Sequence, residues 1–146
     1  MEIEYDWDKL RTPRNEHHKI LIAEDDPGMQ KLYGMLLGDQ HELYIFGNGR
    51  EAGNFYQGRN PELSLVITDF NMPGLTGDKL IQFIRAYEGL FQRPRKPILM
   101  CTADEVHDLS KVDYDRIMFK PFEIDRFEDT IETLLRGDLD GEGRAL

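Results

Sequence analysis

The chain has 146 residues, with 28 acidic against 18 basic side chains and a net charge of −10. One domain of this size buries enough surface to fold without disulfide or metal staples, and the acidity disfavours sequence-independent binding to nucleic-acid phosphates. A single cysteine, Cys101, excludes an internal disulfide and fits a reducing, cytoplasmic setting; no run is long and apolar enough for membrane insertion, and the charged N-terminus lacks the apolar stretch of a signal peptide.

Residues 1–18 read as an N-terminal extension. Ile3, Tyr5 and Trp7 alternate within it, which leaves open packing on the domain, packing on a partner, or disorder. His17 and His18 have no other metal ligand nearby in sequence, so a solvated tail is the expectation. The apolar run "KILIA" (19–23) predicts the first strand. "PGMQKLYGMLLGD" (27–39) places Met29, Leu32, Tyr33, Leu36 and Leu37 at helical spacing. "HELYIF" (41–46) is a more polar strand, as suits a sheet edge. "REAGNFYQG" (50–58) is a helix with Ala52, Phe55 and Tyr56 on one face. "LSLVIT" (63–68) is the third strand, and 77–90 is a helix with Leu80, Ile84 and Tyr87 in register. The patch "RPRK" (93–96) reads as a solvated loop before the fourth strand, "PILMC" (97–101). A short, weak helix is expected over 104–111, then the strand "RIMF" (116–119). The last helix, 123–135, carries Ile124, Phe127, Ile131 and Leu134 on one face. Residues 137–146 lack periodicity and read as a tail.

Five β-α repeats over 19–136 predict an α/β domain with a doubly wound parallel five-stranded sheet. The runs from Ile20, Leu65 and Ile98 are nearly continuous in apolar residues, as central strands covered on both faces must be. In such sheets chemistry sits beyond the carboxyl ends of the strands, where strand order reverses. The groups there are "EDD" (24–26), Asp69, Thr102 and Lys120. In the order 2-1-3-4-5 the acidic ends of the first and third strands are neighbours. Converging carboxylates do not all stay ionised unaided, and an all-oxygen donor set suits Mg²⁺. A carboxylate oxygen would remain as nucleophile, with Lys120 neutralising an incoming anion and Thr102 donating to it, a constellation suited to phosphoryl transfer. Asp26 followed by Pro27 is a helix N-cap pattern, which leaves Glu24 and Asp25 as the working pair.

"ILIAEDDP", "LVITDFNMPGLTG", "ILMCTA" and "IMFKPF", in this order, resemble the receiver domain of two-component response regulators, of the chemotaxis-regulator type with its flavodoxin-like fold. The resemblance implies that Asp69 accepts a phosphoryl group from a histidine kinase or phosphotransfer protein. It implies that Glu24, Asp25, Asp69 and the main-chain carbonyl of Asn71 hold Mg²⁺, and that Thr102 and Lys120 contact the phosphoryl group. It also implies a cis Lys120–Pro121 bond and a downstream protein target, and it leaves a homodimer open.

Two features depart from that family. Ile117 stands where many receivers carry an aromatic switch residue, and the stretch between Thr102 and Lys120 is short. "TADE" offers Thr102 a competing role, a capping box with Glu105. The alternative function is a receiver-fold interaction module that signals without phosphorylation. An aspartyl phosphatase is disfavoured, because Asn71 occupies the place of a general-acid carboxylate.

Overall fold

The computed structural model describes residues 17–103 and 108–137. Ile3, Tyr5, Trp7, Asp104, Glu105 and Val106 lie outside them. The elements are β1 (Lys19–Ala23), α1 (Pro27–Leu37), β2 (Glu42–Phe46), α2 (Gly49–Arg59), a 3₁₀ turn (Asn60–Glu62), β3 (Leu63–Thr68), α3 (Gly77–Phe91), β4 (Ile98–Thr102), β5 (Arg116–Phe119) and α4 (Ile124–Arg136). The strands form one parallel sheet in the order β2-β1-β3-β4-β5, the expected flavodoxin-like arrangement.

Successive strand residues point to opposite faces, and here both faces are apolar. Ile20, Ile22, Leu65, Ile67, Leu99 and Cys101 pack against Tyr33 and Leu37 of α1 and Phe127, Ile131 and Leu134 of α4. Leu21, Ala23, Val66, Ile98 and Met100 meet Ala52 and Tyr56 of α2 and Leu80, Ile81 and Ile84 of α3. Ile124 was expected on the buried face of the last helix but is 48% exposed.

Between β4 and β5 the expected helix is not formed by the described residues. Residues 108–115 contain a turn, closed by the Val112 N–H on the Leu109 carbonyl at 3.0 Å, and otherwise irregular chain. Within 108–115, Leu109, Val112 and Tyr114 touch the core, while residues 104–107 of the expected helix lie outside the described residues. Polar bonds also anchor the segment. Asp115, whose side chain is 1% exposed, accepts from Arg85 at 2.9 Å, from Arg95 at 3.1 Å and from the Ile98 N–H at 2.8 Å. Arg95 also grips Asp113 at 2.9 and 3.0 Å. The basic patch is therefore not simply a solvated loop: Arg95 ties it to the chain entering β5.

His18 is likewise not a solvated tail. Its backbone N–H donates to Nδ1 of the buried His41 at 3.1 Å, and its own ring lies 3.0 Å from Ser64 Oγ. His41 Nδ1 accepts, so its neutral ring carries the proton on Nε2. Burial, and then the neighbouring His18 and His17, push its pKa below the ordinary imidazole value. A folded pKa below the unfolded one means that the unfolded chain binds more protons between the two values. Stability is then lost as pH falls below the unfolded value of about 6.5. Melting curves from about pH 7 to about pH 5.5 should show this loss in the wild type and a flatter profile in His41→Asn. Superimposable profiles would refute the assignment.

Candidate site at the strand ends

The sheet delivers the site through its ladder. The Glu24 N–H donates to the Phe46 carbonyl at 2.9 Å, Asp69 N–H to Ala23 at 3.0 Å, and Lys120 N–H to Thr102 at 2.9 Å. Each of these residues is the first beyond its strand, still held by the neighbouring strand. Glu24 and Asp69 therefore emerge side by side where β1 meets β3, the point at which strand order reverses. One carboxylate oxygen from each of Glu24, Asp25 and Asp69 lies within 4.8 Å of the others.

Lys120 crosses from β5 to bond the buried Glu24 and the half-buried Asp69. Its Nζ donates to Glu24 Oε1 and lies 3.3 Å from Asp69 Oδ2. Asp69 Oδ1 accepts the Phe70 N–H at 2.7 Å, and Glu24 Oε2 accepts the Asp26 N–H at 3.2 Å. Burial raises the Glu24 pKa, opposed by the bond from Lys120. For Lys120, burial works against the charge, but Glu24 and Asp69 outweigh it and the net shift is upward. The lysine is thus an ammonium paired with two of the three carboxylates. The local surplus of negative charge and the all-oxygen donors fit a hard divalent cation such as Mg²⁺.

Asp26 stands apart from this trio. Its Oδ2 accepts the Met29 N–H at 2.8 Å and caps α1, with Pro27 in the first turn. Thr102 is buried at the end of β4, beside Phe119 across the ladder. Asn71 is exposed in the turn after Asp69, and the Lys120–Pro121 bond is cis. Ile117 is part-buried against the α2–α3 core, with Tyr114 in the same cluster. Phe119, immediately before Lys120, is 41% exposed.

The supporting contacts of Gln30, Asn48, Gly74 and Gly77 escaped the motif reading. Gln30 donates its side-chain N–H to the Glu24 carbonyl at 2.6 Å, fixing the β1–α1 turn. Asn48 caps α2, and its Oδ1 occupies the place a Cβ on Gly74 would need, 2.1 Å away. Gly74 has φ of +83°, the left-handed region that favours glycine. Gly77 opens α3 against the Asp69 backbone: an added Cβ would lie 2.0 Å from the Asp69 carbonyl oxygen. The helix-start pattern "LTGD" was the available signal, but it does not reveal which backbone the glycine meets. Gly77→Ala must move Asp69 or the helix, and should cost about 2 kcal/mol as well as misplacing the carboxylate. Urea melts and titration with a divalent cation would check both effects.

A family model described as response regulator receiver domain matches residues 20–132. Chemotaxis protein CheY-3 of Vibrio cholerae is 31% identical over 116 residues, covering 74% of this chain and 84% of that protein. Chemotaxis protein CheY of Pseudomonas aeruginosa is 30% identical over 124 residues, covering 80% and 94%. Among solved structures, V. cholerae chemotaxis protein CheY4 superposes with a TM-score of 0.66 at 25% identity, covering 82% of this chain and 99% of that one.

Proposed function

The chain belongs to the response regulator receiver family, and from that membership we propose that Asp69 is its phosphoacceptor. The donor is a histidine kinase or phosphotransfer protein, and the phosphorylated form changes conformation to regulate a downstream protein. The observation that carries this is Lys120 reaching from β5 to both Glu24 and Asp69.

In the transfer, an Asp69 carboxylate oxygen attacks phosphorus. The new O–P bond forms as the P–N bond to the donor histidine breaks, and the imidazole leaves. The Phe70 N–H fixes one Asp69 oxygen, and the Lys120 ammonium is placed to meet the negative phosphoryl oxygens. Thr102, on the adjoining strand end, is assigned a hydroxyl contact to the transferred group. Glu24, Asp25, Asp69 and the Asn71 carbonyl would hold Mg²⁺, which supplies neutralisation of the phosphoryl charge. With Ile117 in the aromatic position, differential contacts between the two states must come from Thr102, Lys120 and the adjoining loops.

Incubation with acetyl phosphate and Mg²⁺ should add the mass of one phosphoryl group, and chelation of the metal should prevent the gain. Absence of any gain would favour the phosphorylation-independent interaction module. Because burial raises the Glu24 pKa, a proton competes for this ligand at higher pH than for an ordinary carboxylate. Mg²⁺ affinity measured by titration should therefore rise with pH through the mildly acidic range.

A further inference from the structure

Away from the strand-end site, a groove of about 520 Å³ runs between the C-terminal part of α1 and the length of α4. Leu37 and Ile131 form its apolar floor, with Leu36 and Leu135 beside them. Asp125, Glu128, Asp129 and Glu132 line it, and among the described residues no lysine or arginine does. The groove thus selects a cationic, partly apolar occupant.

The chain itself carries such a segment close by. His41 lines the groove, and the His18 backbone N–H bonds to it, so His18, at the end of the N-terminal extension, is anchored beside the groove. Just upstream, "WDKLRTPR" (7–14) combines Trp7 and Leu10 with three cations, Lys9, Arg11 and Arg14, against one acid, Asp8. From His17, the eight residues back to Lys9 can reach about 26 Å when extended, whereas α4 from Asp125 to Leu135 rises about 15 Å. The tether is therefore long enough. A tether this short also gives an effective concentration in the millimolar range, which favours the chain's own segment over a separate partner.

We propose that residues 7–14 dock intramolecularly in the α1–α4 groove, Trp7 and Leu10 on its floor and Lys9, Arg11 and Arg14 against its carboxylates. This is independent of the phosphoryl chemistry at Asp69.

Trp7 is the single tryptophan of the chain, so its fluorescence reads the docking directly in the full-length protein. Its emission should be blue-shifted from that of the urea-unfolded chain. Reversing the exposed acids with Glu128→Lys and Asp129→Lys should shift the emission to the red and raise the acrylamide quenching constant at least twofold. Lys9→Glu with Arg11→Glu and Arg14→Glu should do the same, and combining both sets should restore the wild-type signal. Circular dichroism confirms that each variant is folded, and the charge swap controls for general damage. The proposal is overturned if Trp7 is as quenchable as in the unfolded chain, or if neither reversal changes it. Protection that disappears on dilution would also overturn it, assigning the groove to a second copy.

Discussion

Asp69→Asn is expected to abolish phosphoryl uptake and, in the absence of divalent cation, to make the protein more stable than the wild type. Loss of uptake follows from chemistry, since an amide oxygen is a far weaker nucleophile than a carboxylate. The gain in stability follows from electrostatics. In the wild type, Asp69 lies within 4.8 Å of oxygens on both Glu24 and Asp25, and the Lys120 ammonium bonds to it. At this spacing each like-charge contact is worth about 3 kcal/mol near a protein surface. Lys120 offsets much of this and solvent around the exposed Asp25 screens more, so the net gain should be about 1 kcal/mol. Asn can keep the Phe70 N–H bond made by Asp69 Oδ1, so little is lost in exchange. Saturating Mg²⁺ should reverse the order, because the cation stabilises only the folded state that binds it, and binds the full carboxylate set best. Urea melts with chelator and with Mg²⁺ test both halves. A variant less stable than the wild type under chelation would show that Lys120 already outweighs the repulsion.

The placement of the strand-end groups was legible in the sequence because it is written locally. Glu24, Asp69, Thr102 and Lys120 each follow or end an apolar run, and a parallel sheet collects such ends at one edge. The cap at Asp26 was legible for the same reason, since Asp-Pro before a helical period is a local signal. What escaped notice depends on pairing across the chain. The partner of Arg85 is Asp115, 30 residues on, and that of Arg95 is 20 residues on; charge and periodicity mark both arginines only as polar. His18 looked like tail because its partner His41 is 23 residues away. The low apolar content before β5 was legible, but the ion pairs that hold Asp113 and Asp115 to Arg85 and Arg95 were not. Gly77 was visible as a glycine, but its contact with the Asp69 carbonyl is a property of the folded turn.

Among the described residues, Asp115 is the most consequential polar residue outside the strand-end site. Here Asp115 receives two guanidinium groups and the first N–H of β4 with its side chain 1% exposed. Arg85, itself 12% exposed, extends the network by donating to Glu88 Oε1 at 2.9 Å and to the Lys96 carbonyl at 2.8 Å, while Glu88 Oε2 accepts the Lys96 N–H at 2.6 Å. One aspartate thus joins α3, the loop before β4 and the start of β5. Asp115→Asn keeps the shape but removes the charge facing both arginines, and whichever way its amide is turned, the N–H₂ faces a donor and leaves that donor without an acceptor. Breaking one partner of a buried charged network costs about 3–5 kcal/mol, a large share of a domain stability of about 5–15 kcal/mol. The variant should therefore melt far below the wild type, with hydrogen exchange accelerating first at Ile98 and through β5. Arg85→Met, which removes the principal cation but supplies apolar volume, should cost less, because Arg95 still pairs with Asp115. A loss below about 1 kcal/mol in Asp115→Asn would mean that water substitutes for the network, and that β5 is held by its ladder to β4 alone.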